Sequence, residues 1–402
     1  MLNTKSIEDI QAQLNKMNSG YCVLIKLISY DELRALCGIT TVKQVIDDLN
    51  KIVRQVCHDI EISAYSKVAC DSIIIIMPDI SYELLKDFVH ILYKLSQLYV
   101  NEQIPEAYMH CKFVSINFSK TSNNADDIYS ILVGLLATSK NYGYYKHYDD
   151  QLYNSESIRA SNKILNKLRM ALKSKTVTFA YQPVVDRKTG HTHYYECLLR
   201  MPDGNNNLIS VGPIIQDAEN KGLIHLIDQT VLRMAVDELI SSPDLSLSVN
   251  ISNIGVLDDY LLEITEKLLK DRNDVSQRLI IEITETSLNE DYERTKIFID
   301  KSHKFGCRFA LDDFGSGFTS FKQLQNLPID IIKIDGSYIR NVVNDRYSQY
   351  FVELLVKISE ELGIKTVAEF VENGEIAKFL IDIKVDSMQG NFFSPASNNR
   401  NN

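Results

Sequence analysis

Phe309-Ala310-Leu311-Asp312-Asp313-Phe314-Gly315-Ser316-Gly317-Phe318-Thr319-Ser320 decides how the chain is read. The stretch starts as an apolar run of strand character, reaches two adjacent carboxylates, and breaks into a glycine-punctuated loop before a helical pattern at Ser320 to Leu324. Taken alone, the acid pair is most simply a turn with solvated charges. In a β/α barrel, however, chemistry sits at the carboxyl ends of the strands, where side chains from several strands converge. If the fold is such a barrel, other strands should end the same way.

The 402 residues suggest two or three domains, and a hydrophobic content of 45% is ample for buried cores. A formal net charge of -10 excludes a general basic footprint for duplex nucleic acid. A phosphorylated substrate therefore needs local neutralisation by a metal or by placed Lys and Arg. The seven cysteines are scattered, odd in number and without CxxC spacing, which argues against a disulfide framework or a zinc-thiolate site and fits a reducing cytosol. Met1 to Ile10 lack a signal layout, and the apolar run Ile73 to Met77 is far too short for a bilayer, so no membrane anchoring is expected.

The first part of the chain reads as a helix at 5–16, a strand at 21–28, a helix at 41–58, strands at 61–66 and 72–77, a helix at 82–99, a strand at 110–118 and a helix at 126–139. That order predicts an α+β sandwich over 1–152. A connecting helix over 153–175 follows. From Thr176 to the end the pattern alternates, with strands expected at 178–185, 194–201, 246–251, 279–284, 308–312, 331–335, 366–369 and 385–393 and helices between most of them. Gly306 and Gly363 stand where left-handed helix caps are needed, and Ser287 with Glu290 has capping-box spacing. Eight strands over about 220 residues match a β/α (TIM-like) barrel, with a doubly wound sheet as the alternative.

The strand ends form a set: Glu196, Asn250, Glu282, Asp312 with Asp313, Lys333 with Asp335, and Glu369. Residues two apart on a strand share a face, so Lys333 and Asp335 are expected to point together. So many carboxylates in one mouth repel one another unless cations lie between them. Oxygen donors without His are hard ligands, matching Mg²⁺ or Mn²⁺ and arguing against zinc or copper. Two ions about 3.5–4 Å apart would suit phosphodiester hydrolysis, clamping the attacking and leaving oxygens. Lys333 would neutralise developing charge or position the water, and Arg200 suits a bidentate phosphate contact.

These residues also resemble a known family. Tyr181-Gln182-Pro183-Val184-Val185, Glu196-Cys197-Leu198-Leu199-Arg200, Asn250-Ile251-Ser252, Glu282-Ile283-Thr284-Glu285-Thr286, Asp312 to Gly317, Lys333-Ile334-Asp335, Ala368 to Glu372 and Gln389-Gly390 are similar, in order from about Thr176 to Pro395, to the motifs of EAL-domain phosphodiesterases. The resemblance implies cleavage of cyclic di-GMP to pGpG with Mg²⁺ or Mn²⁺, two ions being expected, and a homodimer. It implies that Glu196, Asn250, Glu282, Asp312, Asp313 and Glu369 hold metal, Glu369 also serving as base. Lys333 would assist the attacking water, while Gln182, Arg200, Asp335 and Gln389 would hold substrate. Glu285 would fix the loop from Asp313 to Ser320. The departures from the family pattern are Cys197, Met201, Phe370 where glycine is usual, and Asn391. None removes a metal ligand, so they are expected to bear on substrate affinity more than on chemistry.

The first domain resembles a degenerate GGDEF (cyclase-like) domain, with Lys146-His147-Tyr148-Asp149 like its usual ending and 66–73 in place of the signature hairpin. Only Asp71 of the signature remains. Lys26 stands where a metal-binding Asp belongs, and Ile60-Glu61-Ile62-Ser63 replaces the inhibitory RxxD, so cyclase activity is not expected. GTP is a candidate ligand there, with a structural or dimerising role favoured. For the whole chain, a non-catalytic receptor of the dinucleotide or of a protein partner is the rival reading. A barrel enzyme that abstracts protons with Lys333 as base is a third.

Overall fold

The computed structural model describes residues 4–59, 64–101, 104–118, 122–137, 143–149, 155–205, 207–285, 291–315 and 321–400. The chain divides into two compact units, Met1–Ile158 and Arg159–Asn402. The division falls inside the helix Ser155–Ser174 and not ahead of it, because Leu165, Leu168 and Ala171 are buried in the core of the second unit.

In the first unit, β1 (Gly20–Leu27) lies between β3 (Ser72–Pro78) and β4 (Cys111–Asn117), antiparallel to both, with β2 (Ala64–Ala69) and β5 (Tyr145–His147) at the edges. Successive residues of a strand face opposite sides. Val23, Ile25 and Leu27 accordingly pack on the helices Tyr30–Asp59 and Tyr82–Gln97, while Cys22 and Leu24 meet Thr4–Leu14 and Ala125–Ala137. The predicted sandwich is therefore present, with an apolar layer on each face. The helix expected at 41–58 extends back to Tyr30 through a break at Gly38, whose φ of 83° is one glycine adopts readily. Positions 61–63 of the expected second strand lie outside the described residues, and β5 was too short to show a pattern.

The second unit is a closed eight-stranded barrel. Its strands are β6 (Thr178–Asp186), β7 (Thr192–Pro202), β9 (Leu247–Asn250), β10 (Leu279–Thr284), β11 (Arg308–Phe314), β12 (Ile331–Ile334), β13 (Lys365–Ala368) and β14 (Ser387–Met388), with β8 (Leu208–Ser210) appended to β7. Two features differ from a simple alternation. β6 and β7 are a hairpin, so β6 runs antiparallel to both of its neighbours. β14 is two residues long, not nine: Phe392 N donates to Val371 O and Ser394 N to Gly390 O, which turns the chain away from the sheet.

Inside the barrel, Val184, Tyr194, Ile280, Ala310, Ile331 and Val367 form one apolar layer. Each strand's next inward residue is two positions further on. The same face therefore presents Glu196, Glu282, Asp312, Lys333 and Glu369 in the layer above, with Gln182 contributed by the reversed β6. Outward residues such as Cys197 and Met201 are buried against the helical shell.

Gly363, with φ 72°, ends the helix Arg346–Leu362 as expected. Gly306 has φ 97° but lies three residues beyond the last residue of Tyr292–His303. Ser287 and Glu290 lie outside the described residues, and the observed cap of that helix is Asp291, which accepts from Arg294 N. At Gly390 an added Cβ would come within 2.2 Å of Val371 O, whereas at Gly363 it would meet open space. Gly390→Ala is expected to lower stability by about 1–3 kcal/mol through overpacking against backbone, and Gly363→Ala by only about 1 kcal/mol through the left-handed φ. Urea unfolding of the two variants should rank them in that order.

Candidate active site

Lys333 is the fully buried centre of the inner acid layer. Its Nζ lies 2.7 Å from Glu282 Oε2, 2.8 Å from Glu369 Oε1, 2.9 Å from Asp312 Oδ1 and 3.4 Å from Glu196 Oε2. Five strands thus deliver one ammonium and four carboxylates to a single point. Glu196 is held further by Asn250 Nδ2 at 2.8 Å and Gln389 Nε2 at 2.6 Å, and Gln389 Nε2 also donates to Gln182 Oε1 at 3.1 Å.

The charges do not balance. Burial pulls the Lys333 ammonium down, but Asp312, Glu196, Glu282 and Glu369 together outweigh it and hold its pKa well above the ordinary value. For Glu196, burial pushes up while Lys333 and the amides of Gln389 and Asn250 pull down, and the result is below the ordinary value. Burial dominates at Glu282, pushed up to about 8, and at Glu369, raised well above a usual carboxyl. One cation cannot keep four buried acids ionised.

Asp312 and Asp313 are brought together by a β-bulge. Between Leu311 and Phe314 the register against β12 slips, so that β11 carries one residue more than its partner, and Asp313 takes a φ of 53°. Regular alternation would send adjacent side chains to opposite faces. Here one carboxylate oxygen from each of Asp312, Asp313 and Glu369 lies within 4.8 Å of the others. Burial, Asp312 and Asp335 push Asp313 up to about 6.

Among the described residues Asp335 is not one of the acids that pair with Lys333, and lies instead beside Asp313. β12 stops at Ile334, and the Asp335 side chain caps the helix Gly336–Ile339 by accepting from Ser337 N at 2.9 Å. Glu285 is buried, and its Oε2 accepts from Gly315 N at 3.1 Å, so it holds the start of the loop after β11; 316–320 lie outside the described residues. Arg200 is not at the acid layer. It is four residues beyond Glu196, about 13 Å along the strand, and its Nη1 donates to Leu199 O and Ser210 Oγ.

A cavity of about 400 Å³ opens over the acids, lined by Gln182, Glu196, Asp312, Asp313, Glu369 and Gln389 together with Phe370 and Asn391. Cys197 and Met201 do not line it, so two of the four departures, Phe370 and Asn391, bear on the mouth. Phe370 has φ 51°, is 47% exposed, packs on Gly336, and carries the Arg340 guanidinium 4.1 Å from its ring centroid. Leu198, from the Glu196 to Arg200 motif, also lines the cavity, and nothing in the sequence pattern pointed to Arg340 or to Ala396, which lines it too. Asp228 was missed as well: it is buried, is pushed up to about 7 by burial, and accepts from Ser252 Oγ at 2.6 Å, positioning the turn after Asn250. A larger cavity of about 560 Å³ beside Tyr181 and Arg400 contains none of the inner acids.

The donor set fits a hard divalent cation. Glu282 Oε1 and Asp312 Oδ1 are buried without a hydrogen-bond partner, the latter near Lys333 but not aligned with it. All the donors are oxygens, and a cation between them would relieve the repulsion that raises Glu282 and Glu369.

Comparison with known proteins agrees. The EAL domain family model matches residues 165–396. Over 60% of this chain, it is 30% identical to the cyclic di-GMP phosphodiesterase PdeF of Escherichia coli and 31% identical to the cyclic di-GMP phosphodiesterase PdeA of Borreliella burgdorferi. These stretches cover 32% and 37% of the two relatives, so the chain matches about a third of their length. Among solved structures, "PaMucR Phosphodiesterase, c-di-GMP complex" is 27% identical, with a TM-score of 0.53 over 58% of this chain and 97% of that one. The fold of "Vibrio cholerae LapD S helix-GGDEF-EAL (apo)" is similar over 97% of this chain and 94% of that one, at 17% identity and a TM-score of 0.54. By its match over more than half of its length, the chain belongs to the EAL domain family.

Proposed function

We propose that the chain hydrolyses cyclic di-GMP to linear pGpG. The observation that carries this reading is the convergence of Glu196, Glu282, Asp312 and Glu369 on Lys333, with Asp313 brought in by the bulge. The names of the relatives support the substrate.

Glu196, Asn250, Glu282, Asp312, Asp313 and Glu369 would hold Mg²⁺ or Mn²⁺, in our reading two ions, which when bound would make water acidic and neutralise a phosphodiester. Lys333 keeps its proton in this environment and sets a fixed positive charge beneath the reacting phosphorus. Glu369 is the candidate base, since its carboxylate lies in the same cluster as those of Asp312 and Asp313, where the attacking water would be held. Water adds across one P–O bond, and the freed ribose oxygen takes the proton. Gln182 and Gln389 would hold the dinucleotide, with Asp335 acting through Asp313. Arg200 would have to turn from Ser210 to reach a phosphate. A receptor reading, binding without turnover, draws on Phe370, a bulky left-handed residue beside Glu369.

The first unit is read as a degenerate GGDEF-like domain with a regulatory or dimerising role. Its one retained signature acid, Asp71, is ion-paired with Lys26 at 3.4 Å, which puts an ammonium where cyclase chemistry needs a metal. GTP at this unit and a cytosolic homodimer complete the proposal. Among the described residues no helix is long and apolar enough to cross a membrane.

Purified protein with cyclic di-GMP and Mg²⁺ or Mn²⁺ should release pGpG, chelation should stop it, and Glu196→Ala or Asp312→Ala should reduce turnover by at least about 10²-fold with unchanged circular dichroism. Binding without pGpG would establish a receptor. Phe370→Gly is expected to change KM more than kcat, because the ring lines the cavity and is not among the proton-bearing groups; an unaltered KM refutes this. Sedimentation with and without GTP should show a dimer, and a monomer at all concentrations would remove dimerisation from the reading.

A further inference from the structure

We propose that the amino end of the barrel, opposite the acid layer, is a second ligand site that takes a phosphate-bearing small molecule. A cavity of about 340 Å³ opens there. It is walled by the first residues of parallel strands, with Arg308 opening β11, Ile331 opening β12, Lys365 opening β13 and Ser387 opening β14. His193 and Tyr194 come from the start of β7, and Arg187 from the turn after β6.

The acids that border this cavity are already engaged. Asp186 Oδ1 accepts from Lys188 N, Thr189 N and Thr189 Oγ1 at 2.8–3.0 Å. Asp330 Oδ2 is held by Phe309 N at 2.7 Å and His303 Nε2 at 3.0 Å. Asp386 takes Thr366 N at 3.0 Å and Lys365 Nζ at 3.0 Å. Among the described residues none of the three pairs with an arginine.

Arg187 and Arg308 have no side-chain hydrogen bond or ion pair among the described residues, and the Nε of each is buried without a partner. The Tyr194 hydroxyl, on a residue 2% exposed that lines the cavity, is likewise buried and unpartnered. A buried polar group without a partner is costly in a folded protein, and several in one cavity call for a ligand that supplies acceptors. The excess positive charge is felt locally: after burial, Arg308 is the largest influence holding His193 below its ordinary value. Guanidinium forks match tetrahedral oxyanions, and the hydroxyl adds a third donor.

The cavity is larger than inorganic phosphate needs, and Ile329, Ile331 and Val367 offer apolar wall to a small organic group. The other end of the barrel, being acidic, would reject the same anion in the absence of metal.

The test is calorimetric titration of the full chain in EDTA, at ionic strength matched with NaCl, using inorganic phosphate and glycerol 3-phosphate as probes. The expected result is saturable binding, weakened at least about tenfold in Arg187→Gln/Arg308→Gln and unchanged in Arg346→Gln, whose arginine is exposed elsewhere on the barrel. Tighter binding of glycerol 3-phosphate assigns the site to a phosphorylated small molecule, and equal binding assigns it to the phosphate group alone. Absence of saturable binding of both probes up to millimolar concentration, or undiminished binding in the double variant, overturns the proposal. Should the double variant fail to fold, Tyr194→Phe takes its place: it removes only an unpartnered hydroxyl, should weaken binding severalfold, and unchanged affinity overturns the proposal.

Discussion

The second unit is arranged around one electrostatic constraint: a single buried ammonium, Lys333, faces four buried carboxylates from four other strands. Burying a charge is unfavourable unless it is paired, and here the pairing is incomplete. Against its burial, Lys333 together with hydrogen bonds from Gln389 and Asn250 keeps Glu196 ionised, whereas burial drives Glu282 and Glu369 toward the protonated form. An apolar core would be the more stable filling for such a barrel. The acids are instead concentrated in one layer, above a layer that is apolar except for the Tyr194 hydroxyl. This is the arrangement of a site whose excess of oxygen donors a hard cation would balance.

Two backbone irregularities complete that site. The bulge in β11 lets neighbouring aspartates act at one place, and the left-handed φ of Phe370 sets an aromatic ring beside Glu369. Both residues are non-glycine at positive φ, a conformation that costs energy and is characteristic of functional positions. Gly315 at the end of β11 also has positive φ and no room for a side chain against Tyr338 and Phe351, so the loop after the aspartates begins from a fixed point held by Glu285.

The two ends of the barrel carry opposite local charge. At the carboxyl ends of the strands, acids gather without enough cations. At the amino ends, Arg187 and Arg308 have no ion pair among the described residues, and the bordering Asp186, Asp330 and Asp386 are bonded to backbone and neighbouring side chains. The same strands link both ends: Tyr194, Ile331 and Val367 each precede by two residues a member of the acid layer. In the first unit Lys26 and Asp71 form an ion pair at 3.4 Å.

Much of this was legible in the sequence because it rests on short-range periodicity. Strands with inward residues two apart, helices between them, and acids at equivalent strand ends were enough to read the barrel and to name Glu196, Glu282, Asp312, Lys333 and Glu369. The order of strands and helices likewise predicted the α+β sandwich of the first unit. The tertiary structure alone decided what depends on partners distant in the chain. Whether Lys333 would pair with Asp335 or stand among four acids turns on where β12 ends and on the next helix claiming Asp335 as its cap. That β6 runs backwards, that Met201 faces the helical shell while Phe370 faces the cavity, and that Arg187 and Arg308 are without an ion pair among the described residues are matters of closure and packing. A one-residue slip at the bulge moved Asp313 beside Asp312 and Glu369; a periodic pattern cannot signal the place where it is broken.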